Sequence, residues 1–243
     1  MIDPQQLIDF VNEQISIFHQ DRVRRLEQIN LKTILKRKNP YLFKAKGIET
    51  AEQLIRSMLD AQLSSLEEKL FGDFLERLAI YVCGLVYNGQ KSSAKGIDLE
   101  FEKDHTWHVV SIKSGPNWGN SSQYRALEHD FRNALKIQRQ SRRYIQAVLG
   151  ICYGNTKTTD NGLYTKITGQ NFWHFISGDP QLYIKIIEPI GHEVEAHYMT
   201  FMEERTNLEQ RLASRFIDDF CFPDGRINWE KLVSYNSGNL SNA

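Results

Sequence analysis

The chain has 243 residues, 41% of them hydrophobic, with equal numbers of acidic and basic side chains and a formal net charge of zero. That length allows one large domain or two small ones with a sizeable core. A neutral balance excludes a global field toward nucleic acid or membrane, so any such attraction must come from local patches. Three distant cysteines, Cys83, Cys152 and Cys221, without a CxxC pair, point to neither a disulfide frame nor a structural zinc site. The N-terminus lacks a basic segment followed by an apolar stretch, and no apolar run is long enough to span a bilayer. The expectation is a soluble cytoplasmic protein without a membrane partner.

In chain order, residues 4–29 carry helical periodicity through Leu7, Phe10, Val11, Ile15, Phe18, Leu26 and Ile29. The stretch LKTILKRKNPYLFKAKG, residues 31–47, holds six basic residues and no acidic one, punctuated by Asn39-Pro40 and Gly47. TAEQLIRSMLDAQL predicts a second helix, with Thr50 as N-cap and Gln53 completing a capping box. SSLEEKLFGDFLERLAIYVCGLVY predicts a third, capped by Ser64 or Ser65 and ended near Gly84.

GIDLEFE and TWHVVSIK flank the short turn KDH and predict a hairpin. A helix is expected from Ser121 to Arg143, then a buried strand in YIQAVLGICYG. TKTTDNGLYTKITG predicts a loop or hairpin. NFWHFISGDPQLYIKIIEPIGHE predicts a short helix, a turn at Gly178-Asp179-Pro180 and another helix, with Trp173 and Phe175 in the core. A charged helix follows over 193–215, and the tail SYNSGNLSNA is expected to be disordered. Neither a repeat nor a Pro-, Gly- or Ser-rich linker divides the chain. The expectation is one domain over 1–235, with an N-terminal helical part (1–63), a central part (64–155) and a C-terminal part (156–235), then a flexible tail at 236–243.

The hairpin brings chemistry together. Asp98 opens its first strand and Lys113 closes its second, and antiparallel strands set those two ends side by side. Ser111 lies two residues before Lys113, on the same face by strand alternation. Asp98, Ser111 and Lys113 therefore converge. A carboxylate there can hold a divalent metal, and a lysine can position an attacking water or neutralise a developing phosphorane. On the preceding helix, Glu76 shares a face with Gly72, Ala79, Ile80 and Cys83. On the following helix, Glu128 stands on the apolar stripe Tyr124, Leu127, Phe131, Leu135, where a charge needs a partner. Each residue has an ordinary reading too. Asp98 can simply open a strand after Gly96, Lys113 can extend at a strand end, Glu76 can pair with Lys69, and Glu128 can pair with Arg132.

Taken in order, Glu76 in FGDFLERLA, Asp98 in GIDLEF and Lys113 in VVSIKSG resemble the PD-(D/E)XK nuclease signature, whose superfamily includes most type II restriction endonucleases. The resemblance covers residues 70–130, and extends more loosely through NPYLFKAKG and GQNFWHFISGD. It implies an α/β fold with a central mixed β-sheet flanked by helices, here with an N-terminal helical segment. It implies Mg²⁺-dependent hydrolysis of double-stranded DNA, and a symmetric dimer or higher oligomer to cut both strands.

Two departures stand out. Ile97, not proline, precedes Asp98. Ser111 stands where the family usually has Asp or Glu, which removes a metal ligand; some restriction enzymes with such a serine take a glutamate from the following helix. Fourteen residues separate Lys113 from Glu128. The resemblance thus implies Asp98 with Glu76 or Glu128 as metal ligands, Lys113 orienting the nucleophilic water, and Ser111 assisting.

On that reading Lys36, Arg37, Lys38, Lys44 and Lys46 contact the DNA backbone, as do the basic residues of RNALKIQRQSRR. The loop residues Asn117, Asn120, Ser122 and Gln123 bond phosphate or base edges, although the same loop also reads as a strand-to-helix turn capped by Ser121 or Ser122. A structure-specific or repair nuclease of the same fold, and a catalytically silent DNA-binding protein, are the alternatives.

Overall fold

The computed structural model describes residues 2–138, 144–191 and 194–238. The elements are α1 (Pro4–Glu27), α2 (Leu31–Arg37), α3 (Pro40–Ala45), α4 (Ala51–Tyr87), β1 (Gln90–Lys91), β2 (Leu99–Lys103), β3 (Thr106–Lys113), α5 (Ser121–Gln138), β4 (Tyr144–Ile151), β5 (Thr159–Asp160), β6 (Thr165–Thr168), α6 (Gln170–Ser177), α7 (Leu182–Lys185), α8 (Ile187–Ile190), α9 (Val194–Phe220) and α10 (Trp229–Ser237). Among the described residues no helix is long and apolar enough to cross a membrane.

Contacts divide the chain into two compact units, residues 1–16 with 71–192, and residues 17–70 with 193–243. The first holds a mixed sheet in the order β1-β2-β3-β4-β6-β5. Its centre is β3, antiparallel to β2 and parallel to β4. The β2–β3 turn has Asp104 and His105 both at positive φ, the geometry that matches the twist of a two-residue hairpin. One sheet face presents Leu99, Phe101, Val110, Ile112 and Val148 to Phe74, Leu78 and Val82 of α4, with Leu7 and Val11 of α1 in the same cluster. The other presents Val109, Ala147, Leu149 and Ile151 to Leu127, Phe131 and Ala134 of α5. Both faces of the central strands are thus covered, as parallel pairing requires. Gly150 on β4 lies so close to Phe172 of α6 that a methyl group there would overlap the ring.

The second unit packs Leu26, Leu31, Ile34, Leu35 and Phe43 with Leu54, Ile55, Met58 and Leu59 of α4, and with Leu208, Leu212, Phe216 and Leu232 of α9 and α10. Asn30 and Asn39 cap the short helices α2 and α3 through their side-chain oxygens, which turns the basic stretch 31–47 into two helices rather than a loop.

Several sequence expectations are corrected. The helices expected over 50–63 and 64–87 are one, α4, of 37 residues. Ser65 is no cap; its hydroxyl donates back to the Ala61 carbonyl at 3.2 Å, satisfying itself inside the helix. The segment after α6 forms two single turns, α7 and α8, rather than one helix, because Pro189 and the turn at Ile186 interrupt it. The charged helix runs to Phe220, and α10 carries order to Ser237, so the tail expected to be disordered begins as helix over 234–237; residues 239–243 lie outside the described residues. The helix expected from Ser121 to Arg143 is present as far as Gln138, and residues 139–143 lie outside the described residues.

Candidate active site

The site forms where β2 begins and β3 ends. The Asp98 N–H donates to the Val110 carbonyl at 2.9 Å, which locks the residue to the hairpin just ahead of β2. Its carboxylate turns toward β3. The Ile112 N–H donates to Asp98 Oδ2 at 2.6 Å, and the Ser111 hydroxyl donates to the same oxygen at 3.4 Å. Lys113 Nζ stands 3.9 Å from it. Three groups therefore gather on Oδ2, while Oδ1 takes none of these contacts. The turn before Asp98 passes α5 at Gly96, where positive φ and the nearness of the Asp130 carboxylate leave no room for a side chain.

Glu76 reaches the same place from α4. One turn earlier, at Gly72, the helix passes Ser114 so closely that an added methyl group would be in van der Waals contact with it. The Glu76 carboxyl is held above the usual range, first by burial and then by the charge of Asp98, with Lys91 and Lys113 acting in the opposite direction. Lys91 Nζ of β1 lies 3.4 Å from Glu76 Oε1. Two partly buried carboxylates that repel each other, with their oxygens as hard donors, suit a small divalent cation, whose charge relieves that repulsion. Cys152 lies within the influence of the same group: burial, then Glu76 and Asp98, raise its thiol well above the ordinary range. It stays protonated and offers no thiolate.

The structure brings Glu76, Asp98, Ser111 and Lys113 together and leaves Glu128 apart from them. Among the described residues no three His, Cys, Asp or Glu side chains converge to hold a metal. Glu128 Oε2 is 3.5 Å from Arg132 Nη2, one turn along α5, and its charge acts on Tyr164. Ser111 is fully buried, so it acts on Asp98 and does not face solvent.

The loop residues have local work. Asn120 Oδ1 accepts from the N–H groups of Ser122 and Gln123, both at 3.1 Å, and from the Ser122 hydroxyl at 2.7 Å, while Gln123 Oε1 accepts from the Asn120 N–H at 2.9 Å. That is a capping box for α5 with Asn120, not Ser121 or Ser122, as the cap. Asn117 is exposed. In the second unit, Lys36, Arg37, Lys44 and Lys46 are exposed on and beside α2 and α3, and Lys38 is half-buried. Lys36 lies 6.0 Å from the Tyr235 ring centroid and Lys44 5.2 Å from that of Trp229. Of RNALKIQRQSRR, Arg132 and Lys136 are exposed, while Arg139, Arg142 and Arg143 lie outside the described residues.

Sequence reasoning missed three contributors. Lys91 stands on a two-residue strand too short for a periodic signal. The Ile112 contact is made by the backbone, which no side-chain pattern reveals. Trp118 hides in the turn-rich loop, yet Lys113 Nζ lies 5.5 Å from its ring centroid.

The family model described as Type II restriction endonuclease EcoO109I matches residues 5–197. Among curated proteins none matches the chain.

Proposed function

The chain belongs to the type II restriction endonuclease EcoO109I family, and from that premise we propose that it cuts a specific double-stranded DNA sequence with Mg²⁺, using Asp98, Glu76 and Lys113. The observation that carries this reading is the convergence of two carboxylates from different elements with one lysine. The Asp98–Lys113 approach is 3.9 Å, and Asp98 raises the proton affinity of Glu76.

Asp98 and Glu76 would hold the cation. When bound, it supplies Lewis acidity toward a phosphoryl oxygen. Lys113 orients the attacking water and offsets the negative charge that grows on the phosphorus oxygens as the phosphodiester bond breaks. The Ile112 N–H and Ser111 hydroxyl fix one carboxylate oxygen of Asp98, so the other is held ready at small entropic cost. Ser111 contributes as a donor to Asp98 rather than as a ligand. Glu128 is the alternative ligand, in place of the acid missing at Ser111.

The basic side chains Lys36, Arg37, Lys38, Lys44 and Lys46 support backbone contacts, and Asn117 is available to phosphate or base edges. Severing both strands of one site calls for two active sites, hence a homodimer or higher homo-oligomer. A digest of a sequenced plasmid tests the whole reading. With Mg²⁺ it should give discrete bands, with EDTA none, and with Ca²⁺ a retarded complex without cutting. Preference for branched DNA would favour a repair nuclease instead, and a retarded complex uncut under all metals would make the chain a silent DNA binder.

A further inference from the structure

We propose that Trp118 is the positioning residue for Lys113, and that it governs the chemical step without touching DNA. This rests on the reading of Lys113 as the group that orients water.

The Lys113 ammonium has two attractors within reach. Asp98 Oδ2 is at 3.9 Å, and the Trp118 ring, over which the ammonium lies, is 5.5 Å to its centroid. The first distance is longer than a direct charge-assisted hydrogen bond, about 2.7–2.9 Å. The carboxylate therefore does not pin the lysine by itself. A lysine stem has four rotatable carbons and a strongly hydrated head, so a half-exposed ammonium drifts unless something else holds it. The face of an indole is the strongest aromatic attractor for a cation. Trp118 thus sets how far the ammonium stands from Asp98.

The ring is itself fixed. Tyr124, in the first turn of α5, packs on it with centroids 4.6 Å apart. It joins the cluster of Ile97, Val109 and Leu127. Its Nε1 is buried and makes no hydrogen bond among the described residues. Packing, not a polar tether, determines how the ring is turned. A tryptophan that served as a stacking platform for a base would need a free face, whereas the ammonium already lies over this one.

The test separates these roles. Trp118 is replaced, by nonsense suppression, with tryptophans carrying one to four fluorines. These keep the shape of the ring and progressively weaken its attraction for a cation, and thermal unfolding checks that the fold is retained. Single-turnover cleavage with Mg²⁺ and binding with Ca²⁺ are measured on a duplex containing the site mapped by the plasmid digest. The logarithm of the cleavage rate should fall steadily with fluorine number while binding stays within about twofold. Trp118→Leu should lose about 2- to 30-fold in rate, the range of a cation–π contact, with Trp118→Phe in between. A level rate across the series overturns the inference, and so does a loss confined to binding, which would make Trp118 a DNA contact. A wild-type protein that binds but does not cut overturns the nuclease reading and this inference with it; a cutting wild type with a level series overturns only the role of Trp118.

Discussion

Asp98 spends one oxygen on the protein and keeps the other free of those contacts, and the residues around it divide according to which oxygen they serve. Ser111, Ile112 and Lys113 serve the first. Glu76 acts through charge on the carboxylate as a whole. Lys113→Ala should therefore lower cleavage by about 10²–10⁴-fold, the usual loss when a positioned charge or proton-handling group is removed, with Ca²⁺-supported binding largely kept. Single-turnover rates and gel retardation check this; near-normal turnover by the variant would sink the assignment. Glu76→Gln should be comparably impaired, and Glu128→Gln should cut at close to the wild-type rate, since among the described residues its carboxylate pairs with Arg132 on its own helix. A dead Glu128→Gln, partly restored by exchanging Ser111→Glu with Glu128→Ser, would instead make Glu128 the relocated ligand.

Asp98, Ser111 and Lys113 were legible because strand alternation is a strict period of two. Glu76 and Glu128 were not separable, because helical periodicity gives the face of a residue and not which neighbour its charge meets. His108, elsewhere on β3, is 5% exposed, and burial, aided by the charge of Lys103, pushes it down to about 4. Its folded pKa lies below the ordinary 6.5. As pH drops through that window the unfolded chain takes up a proton that the folded chain refuses, and stability falls. His108→Phe should flatten the decline, as measured by denaturant midpoints across the window. His19, also held near 4 by burial, His197 and Arg22, keeps a residual slope in that variant.

At the level of elements, capping decides where α5 starts and hence where the loop after Lys113 ends. Asn120→Ala should cost about 1 kcal/mol by removing the N-cap acceptor, while Asn120→Asp should keep stability close to wild type, because a carboxylate caps equally well. Urea unfolding of the two variants distinguishes them. If both lose specific DNA binding at unchanged stability, Asn120 serves the DNA rather than the helix. The sequence placed the start of this helix correctly but chose the wrong cap, since Asn, Ser and Ser in succession offer three equivalent local signals. The error in α4 has the same origin. Ser64-Ser65 is a good start signal in isolation, but the apolar stripe on both sides of it is buried, and tertiary packing carries the helix straight through. Parallel pairing of β6 with β4 could not be read at all. Nothing in a four-residue segment encodes which strand it will join.

For the whole molecule, a net charge of zero means that DNA affinity must rest on where the cations lie. Lys36, Arg37, Lys44 and Lys46 are exposed within one stretch that lacks acidic residues. Replacing any one by Gln should weaken binding evenly across sequences and reduce the slope of log K against log salt by about 0.9 if that residue contacts a phosphate. Titrations at several salt concentrations read this directly, and an unchanged slope would make the stretch an ordinary solvated surface. The interleaving of the two compact units has a consequence during synthesis. Residues 17–70 leave the ribosome early, yet their core partners Leu208, Leu212, Phe216 and Leu232 are made more than a hundred residues later. The sheet-bearing unit has all its parts once residue 192 has emerged. The carboxylates and lysine of the proposed site should thus be assembled while the lysine-rich helices α2 and α3 still lack the core on which they rest. Chains stalled after residue 192 has cleared the exit tunnel should resist protease across β2–β4 and remain cleavable across 31–47. On the proposed reading, the part that would cut is finished before the basic stretch that would grip.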